Sequence, residues 1–249
     1  MISDDSKRDC HNDDCRQHYL SPKVQRHHSA NEPALVDAVT TRLITACSQL
    51  HQEQQHVTLA VSGGKSPTAL FKRLATCVDI AWDAASVTLV DERYVAPDHP
   101  DSNENLLRTH LCQQSAANIR LVGLYASQRN CAEQVAHLNR EPPVPLPDIA
   151  ILGLGMDGHT ASLFPCSPEY HKNLTTTARY VKATPQTAPH ERISLSANAL
   201  IKVPALWMYL AGEEKYQRLL QILEGKDPSS PLNTILRQRR TPMAVFTCP

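Results

Sequence analysis

The sequence predicts one α/β domain, a three-layer αβα sandwich around a mostly parallel, Rossmann-like sheet. Three observations point there. Short apolar runs alternate with amphipathic stretches along the chain, the pattern of a parallel sheet covered on both faces. Two of those runs end in glycine-bearing turns, Ser62-Gly63-Gly64 and Gly153-Leu154-Gly155. The length, 249 residues, suits a single domain with a sizeable core.

Taken in order, the first helix is expected over 32–52, where Leu35, Val36, Val39, Leu43, Ile44 and Cys47 form one stripe behind a cap at Asn31. Residues 56–61 are β-branched and apolar and predict a strand. Ser66 as N-cap and Pro67 as first helical residue then open a helix over 68–77. A strand at 86–90 follows, then helices at 103–112 and 126–139 around a short strand at 119–122. The proline-rich run 142–147 reads as a stiff connector inside the domain. Asp148-Ile149-Ala150-Ile151-Leu152 has the continuous apolar character of a buried parallel strand. Beyond it come strands at 179–183, 192–195 and 205–210, a helix at 212–223 and a last strand at 243–247. Residues 1–25 are polar and irregular and are expected to be a disordered leader, leaving 26–249 as the domain.

Three strand ends carry the chemistry. In open α/β sheets ligands bind at the carboxyl ends of strands, and Gly155-Met156-Asp157-Gly158-His159 stands at one. Ser62-Gly63-Gly64-Lys65-Ser66-Pro67 stands at a second, where a glycine turn opens a helix. Backbone N–H groups at such a helix start make an anion site, with phosphate the usual occupant, although the string is neither GxxxxGK[ST] nor GxGxxG. At the third, Asp91-Glu92-Arg93 puts two carboxylates and a guanidinium where burial is costly unless they are paired or used. Arg93 suits a bidentate grip on phosphate, or an ion pair with Asp91 or Glu92; Asp91 suits a sugar hydroxyl or a histidine.

Together the three segments resemble the 6-phosphogluconolactonase family. Ser62-Gly63-Gly64 with Ser66-Pro67 is similar to its SGGx[ST]P phosphate loop, Asp91-Glu92-Arg93 with Asp101-Ser102-Asn103 to its DER…DSN segment, and Gly155 to Pro165 to its GxDGHTASLFP signature. Pro189-His190-Glu191-Arg192-Ile193-Ser194-Leu195 is a weaker fourth match. One departure is Lys65, which adds an ammonium beside the loop. The resemblance implies hydrolysis of 6-phospho-D-glucono-1,5-lactone without metal or cofactor. His159 is then the general base, since an unperturbed imidazole titrating near pH ~6.5 accepts a proton from water at neutral pH. Ser62, Gly63, Gly64, Lys65, Arg93 and Asn103 are expected to bind substrate, with Arg192 or Lys182 closing the phosphate site. Asp157 orients the imidazole or binds a sugar hydroxyl, and Asp91 is the other carboxylate assigned to catalysis.

Rival readings are the related glucosamine-6-phosphate deaminases, with Asp91 as base, and a non-catalytic sugar-phosphate sensor. The deaminases typically read Asp-Glu-Tyr and GHIAFNEP, where this chain has Asp91-Glu92-Arg93 and Thr160-Ala161-Ser162-Leu163-Phe164-Pro165. A sensor usually loses the base or gains a partner domain, and His159 is present.

Composition agrees. The 25 basic and 25 acidic residues balance, so no global field favours nucleic acid or an anionic membrane. No run reaches membrane-spanning length and no apolar signal segment opens the chain. The 8 cysteines include no CxxC pair, and a reducing cytoplasm with free thiols is expected. Cys10, His11, Cys15 and His18 lack the spacing of a structural metal site and read as an incidental tail. The expected partner is the small sugar-phosphate lactone, and the expected assembly a monomer or weak homodimer.

Overall fold

A computed structural model describes residues 23–249. Along them run β1 (Val24–His28), α1 (Glu32–Glu53), β2 (Val57–Val61), α2 (Thr68–Ala75), β3 (Ala85–Leu89), β4 (Asp91–Arg93), α3 (Asn103–His110), β5 (Arg120–Val122), α4 (Cys131–Arg140) and β6 (Ile149–Leu152). After these come α5 (Tyr170–Thr175), β7 (Tyr180–Ala183), β8 (Arg192–Leu195), α6 (Ala197–Lys202), β9 (Ala205–Ala211), α7 (Glu213–Leu223), α8 (Pro231–Gln238) and β10 (Met243–Cys248).

Seven strands, in the order β1-β10-β9-β6-β2-β3-β5, form one sheet in which every neighbouring pair is parallel. From β2 the chain winds outward to β3 and β5, then returns to β6 on the opposite side of β2 and winds the other way to β9 and β10. Parallel crossovers are right-handed, so reversing the direction sends α1, α2 and α3 to one face and the later crossovers to the other. Helix contacts follow that division. On one side α1 packs on α2 and α2 on α3; on the other α5 packs on α6, and α6 and α7 on α8.

The sequence explains most of these elements locally. Asn31 caps α1 by accepting from the Ala34 N–H at 3.0 Å, and Leu35, Val36, Val39, Leu43 and Cys47 of the expected stripe are buried. β2, β3 and β6 are buried at every position, as continuous apolar strands between two helical layers must be. The helix expected from 126 begins instead at Cys131, because Asn130 and Glu133 form a reciprocal capping box.

Four expectations need correction. Ser66 does not cap α2: Pro67 holds the cap position without a side-chain bond, and the Ser66 hydroxyl accepts from Lys215 Nζ at 2.5 Å. Residues 91–93, expected only as the end of the 86–90 strand, form a strand of their own. The chain bends at Val90, whose N–H donates to Val61 and whose carbonyl accepts from Leu195, so it passes from the parallel sheet into a second one. That second sheet is β4-β8-β7, antiparallel, and takes the strands expected near 180 and 192 out of the main sheet. Finally, β1 starts at Val24, inside the expected leader, with its register on β10 running from Val24↔Met243 to His28↔Thr247. Only Val24 of its five residues is buried, which is why the strand reads as polar chain. The Cys10–His18 cluster lies outside the described residues.

Arg239 is the largest fully buried side chain among them. Its guanidinium donates to the carbonyls of Leu200, Ile201, Val203 and Pro204 and to Thr241, which satisfies the carbonyl end of α6 with a cation. Arg239→Met keeps volume but orphans those carbonyls. It is expected to lower stability by on the order of 3 kcal/mol, read as a reduced urea midpoint at unchanged slope.

Candidate functional site

The reversal of winding leaves a crevice between the carboxyl ends of β2 and β6, the position where an open parallel sheet binds ligands. A cleft of about 190 Å³ opens there. Ser62, Gly63, Gly64 and Lys65 enter it from the end of β2, Asp91 and Arg93 from β4, Asn103 from the start of α3, and His159 from the turn after β6. Tyr209 and Lys215 complete the lining.

The glycine loop is shaped by what lies against it. A Cβ on Gly63 would stand 1.9 Å from Asn103 Oδ1, so only glycine admits the Asn103 amide, which donates to the Asp91 carbonyl at 2.8 Å. Glu92 fixes that arrangement from behind. Its buried carboxylate accepts the N–H groups of Arg93, Asn103 and Glu104 at 2.7 to 2.8 Å and the Ser102 hydroxyl at 3.1 Å. Burial pushes the Glu92 carboxyl up, while those N–H bonds at the start of α3 pull the other way. Two polar groups stand at the loop. Ser62 Oγ is buried with no hydrogen-bond partner, and the half-buried Lys215 ammonium, its pKa lowered by desolvation, leans over Ser66.

The histidine turn is closed by hydrogen bonds from Gly155 N–H to the His159 carbonyl and from Gly158 N–H to the Gly155 carbonyl, each 2.9 Å. Gly155 must be glycine, because a Cβ there would lie 2.2 Å from His159 Nδ1. Asp157 Oδ1 takes His159 Nδ1 in a short hydrogen bond, which holds the Asp157 carboxyl below its usual range. The imidazole stacks on Phe164 at 4.0 Å, and Nδ1 is the ring nitrogen that Asp157 engages. The residues after His159 anchor the turn. Thr160 Oγ1 donates to the Gly153 carbonyl at 2.8 Å, and Ser162 Oγ donates to Asp91 Oδ2 at 2.6 Å. From outside, Ser230 Oγ donates to the Gly158 carbonyl at 2.8 Å, and the Arg218–Asp227 ion pair sits against Gly158.

The structure thus gathers Ser62, Gly63, Gly64, Lys65, Asp91, Arg93, Asn103 and His159 around one cleft, with Asp157 behind the imidazole. Neither Lys182 nor Arg192 lines it. Glu191 takes the Lys182 ammonium, and that bond raises the lysine's pKa. Arg192 is buried on β8 opposite Arg93, its pKa lowered by desolvation and then by Arg93, with Nε unpartnered. The ion pair considered for Arg93 does not form: Nη1 donates to the Asp101 carbonyl at 2.5 Å. Lys215 escaped the sequence reading although its signal was there. Gly212, with φ of 102°, follows β9 and opens α7, the same strand–glycine–helix pattern at the neighbouring strand end.

The family model for glucosamine-6-phosphate isomerases/6-phosphogluconolactonase matches residues 30–244. The chain belongs to this family. A 6-phosphogluconolactonase of Neisseria meningitidis is 34% identical over 220 residues, 86% of this chain and 92% of its own length. One of Pseudomonas aeruginosa is 36% identical over 199 residues, 78% of this chain and 79% of its own. Among solved structures, a 6-phosphogluconolactonase from Shewanella baltica superposes with a TM-score of 0.83 at 34% identity, covering 92% of this chain and 99% of that one. The chain stands with the lactonases of the family.

Gly155→Ala tests the close approach. The added methyl displaces the imidazole by roughly an ångström, and kcat/KM for lactone hydrolysis is expected to fall about 10²-fold while the circular dichroism spectrum is unchanged.

Proposed function

We propose that this hydrolase converts 6-phospho-D-glucono-1,5-lactone to 6-phospho-D-gluconate in the oxidative pentose phosphate pathway, with His159 activating the attacking water. The observation that carries the reading is the Asp157–His159 pair on the edge of a cleft whose other wall is an anion cradle. Asp157 engages Nδ1 and orients the ring, so Nε2 is the atom that takes the proton. Water adds to the lactone carbonyl as Nε2 receives its proton, giving a tetrahedral oxyanion. Collapse breaks the ring C–O bond, and the proton on Nε2 passes to the leaving ring oxygen. The products are a carboxylic acid, ionised at neutral pH, and the open-chain hydroxyl.

Phosphate sits at the other end. The Gly63–Lys65 loop, the unpaired Ser62 hydroxyl, Lys215 and Arg93 line one cleft, and this set suits a phosphate. Holding the remote phosphate there positions the carbonyl against the water on His159, so binding energy away from the reacting bond lowers the barrier. Asp91 anchors the histidine turn through Ser162 rather than acting as a base, which separates this reading from the deaminase one. The 6 described cysteines are free thiols, which suits a cytoplasmic enzyme.

His159→Ala is expected to reduce kcat by ~10²–10⁴-fold with the fold intact, measured against the spontaneous hydrolysis of the lactone. Near-normal turnover in that variant would remove histidine from the mechanism. Because the Asp157 carboxyl is held below its usual range, no acid limb from that residue enters the kcat/KM profile over mildly acid pH.

Arg93→Ala and Lys215→Ala each remove a charge-assisted contact of about 1.5–3 kcal/mol, so use of the phosphorylated lactone weakens roughly tenfold or more. Unphosphorylated gluconolactone lacks the group being held, and its hydrolysis is expected to change little. Equal damage to both substrates would assign these residues to positioning the reacting carbonyl.

A further inference from the structure

Between β4 and α3 the chain passes through His99 and Asp101, and the loop entering β8 brings His190 onto the same spot. One ligand atom from each of the three side chains lies within 4.8 Å of the others. His190 Nε2 is 2.9 Å from Asp101 Oδ2, His99 Nδ1 is 4.0 Å from the same oxygen, and the two rings meet edge to face at 5.4 Å between centroids. We propose that His99, Asp101 and His190 bind a divalent transition metal ion, of which zinc is the type, at a site separate from His159 and the glycine loop.

The donor set is the first argument. Two imidazoles and one carboxylate are the ligands of exchangeable zinc and of late first-row metals, whereas magnesium and calcium take oxygen. Geometry is the second. Metal–ligand bonds of 2.0–2.2 Å in a tetrahedron put donor atoms roughly 3.3–3.6 Å apart, a spacing that lies between the 2.9 Å of His190–Asp101 and the 4.0 Å of His99–Asp101 and is reached by small side-chain rotations. The backbone is the third. His190 adopts φ of 70°, a left-handed conformation uncommon for residues other than glycine, and it accompanies an imidazole directed onto Asp101.

His99 Nδ1 accepts the Asp101 N–H at 3.0 Å, and its single lone pair would exchange that bond for one to the metal. A metal ion would replace the proton shared between His190 and Asp101 and leave a fourth position to water. All three side chains are partly exposed, which gives an ion access. Neighbouring charges do not compete as ligands: Arg93 donates to the Asp101 carbonyl rather than its carboxylate, and Glu191 is taken by Lys182.

The test titrates zinc, and magnesium in parallel, into the full-length metal-stripped protein by calorimetry. It compares the wild type with His190→Asn, His99→Asn and Asp101→Asn. Asparagine tolerates the left-handed backbone at 190 and keeps an acceptor for the Asp101 N–H at 99, and circular dichroism checks folding. Any zinc taken up by Cys10, His11, Cys15 and His18 is common to all four proteins and cancels. The expected result is one zinc equivalent lost in each variant. Cobalt(II) is expected to give visible absorption of a nitrogen–oxygen site in the wild type that each variant lacks, and magnesium is expected to give no heat. Identical zinc isotherms in all four folded proteins, or magnesium binding as tightly as zinc, would overturn the assignment.

Discussion

A buried carboxylate, Glu92, ties the second sheet to the start of α3. It accepts three backbone N–H groups and a hydroxyl, so β4 and α3 cannot shift relative to one another without leaving donors unpaired in the interior. The cleft is assembled on that joint. Because α3 starts where Glu92 holds it, Asn103 reaches both the Asp91 carbonyl and the face of Gly63. Because β4 is held, Asp91 is in place to take Ser162, and through Ser162 the histidine turn. A residue that does not itself line the cleft, but holds the backbone of Arg93 and Asn103 that do, thus sets the spacing between its walls.

The histidine turn shows how a signature motif divides its labour. In the proposed mechanism His159 supplies the atom for proton transfer, and the residues around it hold the ring in place. Asp157 and Phe164 restrain the ring from two sides, Thr160 closes the turn on Gly153, and Ser162 carries it to the other wall. The loop between α7 and α8 adds Ser230 and Asp227 from outside, two residues that no local pattern links to a turn about 70 positions earlier. Positioning to a fraction of an ångström requires such over-determination, since a loop alone has too much conformational freedom.

How far the sequence was legible depended on the range of the forces. Apolar runs and glycine turns report on neighbours a few residues away, and they gave the parallel strands, the first helix and the two loops that meet in the cleft. β4 was not legible, because three residues with two carboxylates become a buried strand only through partners at Ser162, Asn103 and β8. Lys182, offered with Arg192 for the phosphate site, was hard to place for the reverse reason: a lysine serves whichever anion folds nearest, and here that is Glu191. Arg239 gave no local sign of its role, since the carbonyls it satisfies lie 35 to 39 residues back. Lys215 was within reach of the reasoning, at the end of a strand and just past a glycine.

The seam between β2 and β6 pairs only three residues, Leu59↔Ile149 to Val61↔Ile151, against five between β2 and β3 and four between β6 and β9. Everything wound to one side of that seam meets everything wound to the other along its shortest central pairing, and the cleft stands astride its open end. A molecule gripped at once by the glycine loop and the histidine turn therefore acts as a cross-link between two half-sheets. Occupancy of the cleft adds to the cohesion of the whole domain by mass action, so the working protein and the empty protein are mechanically different objects.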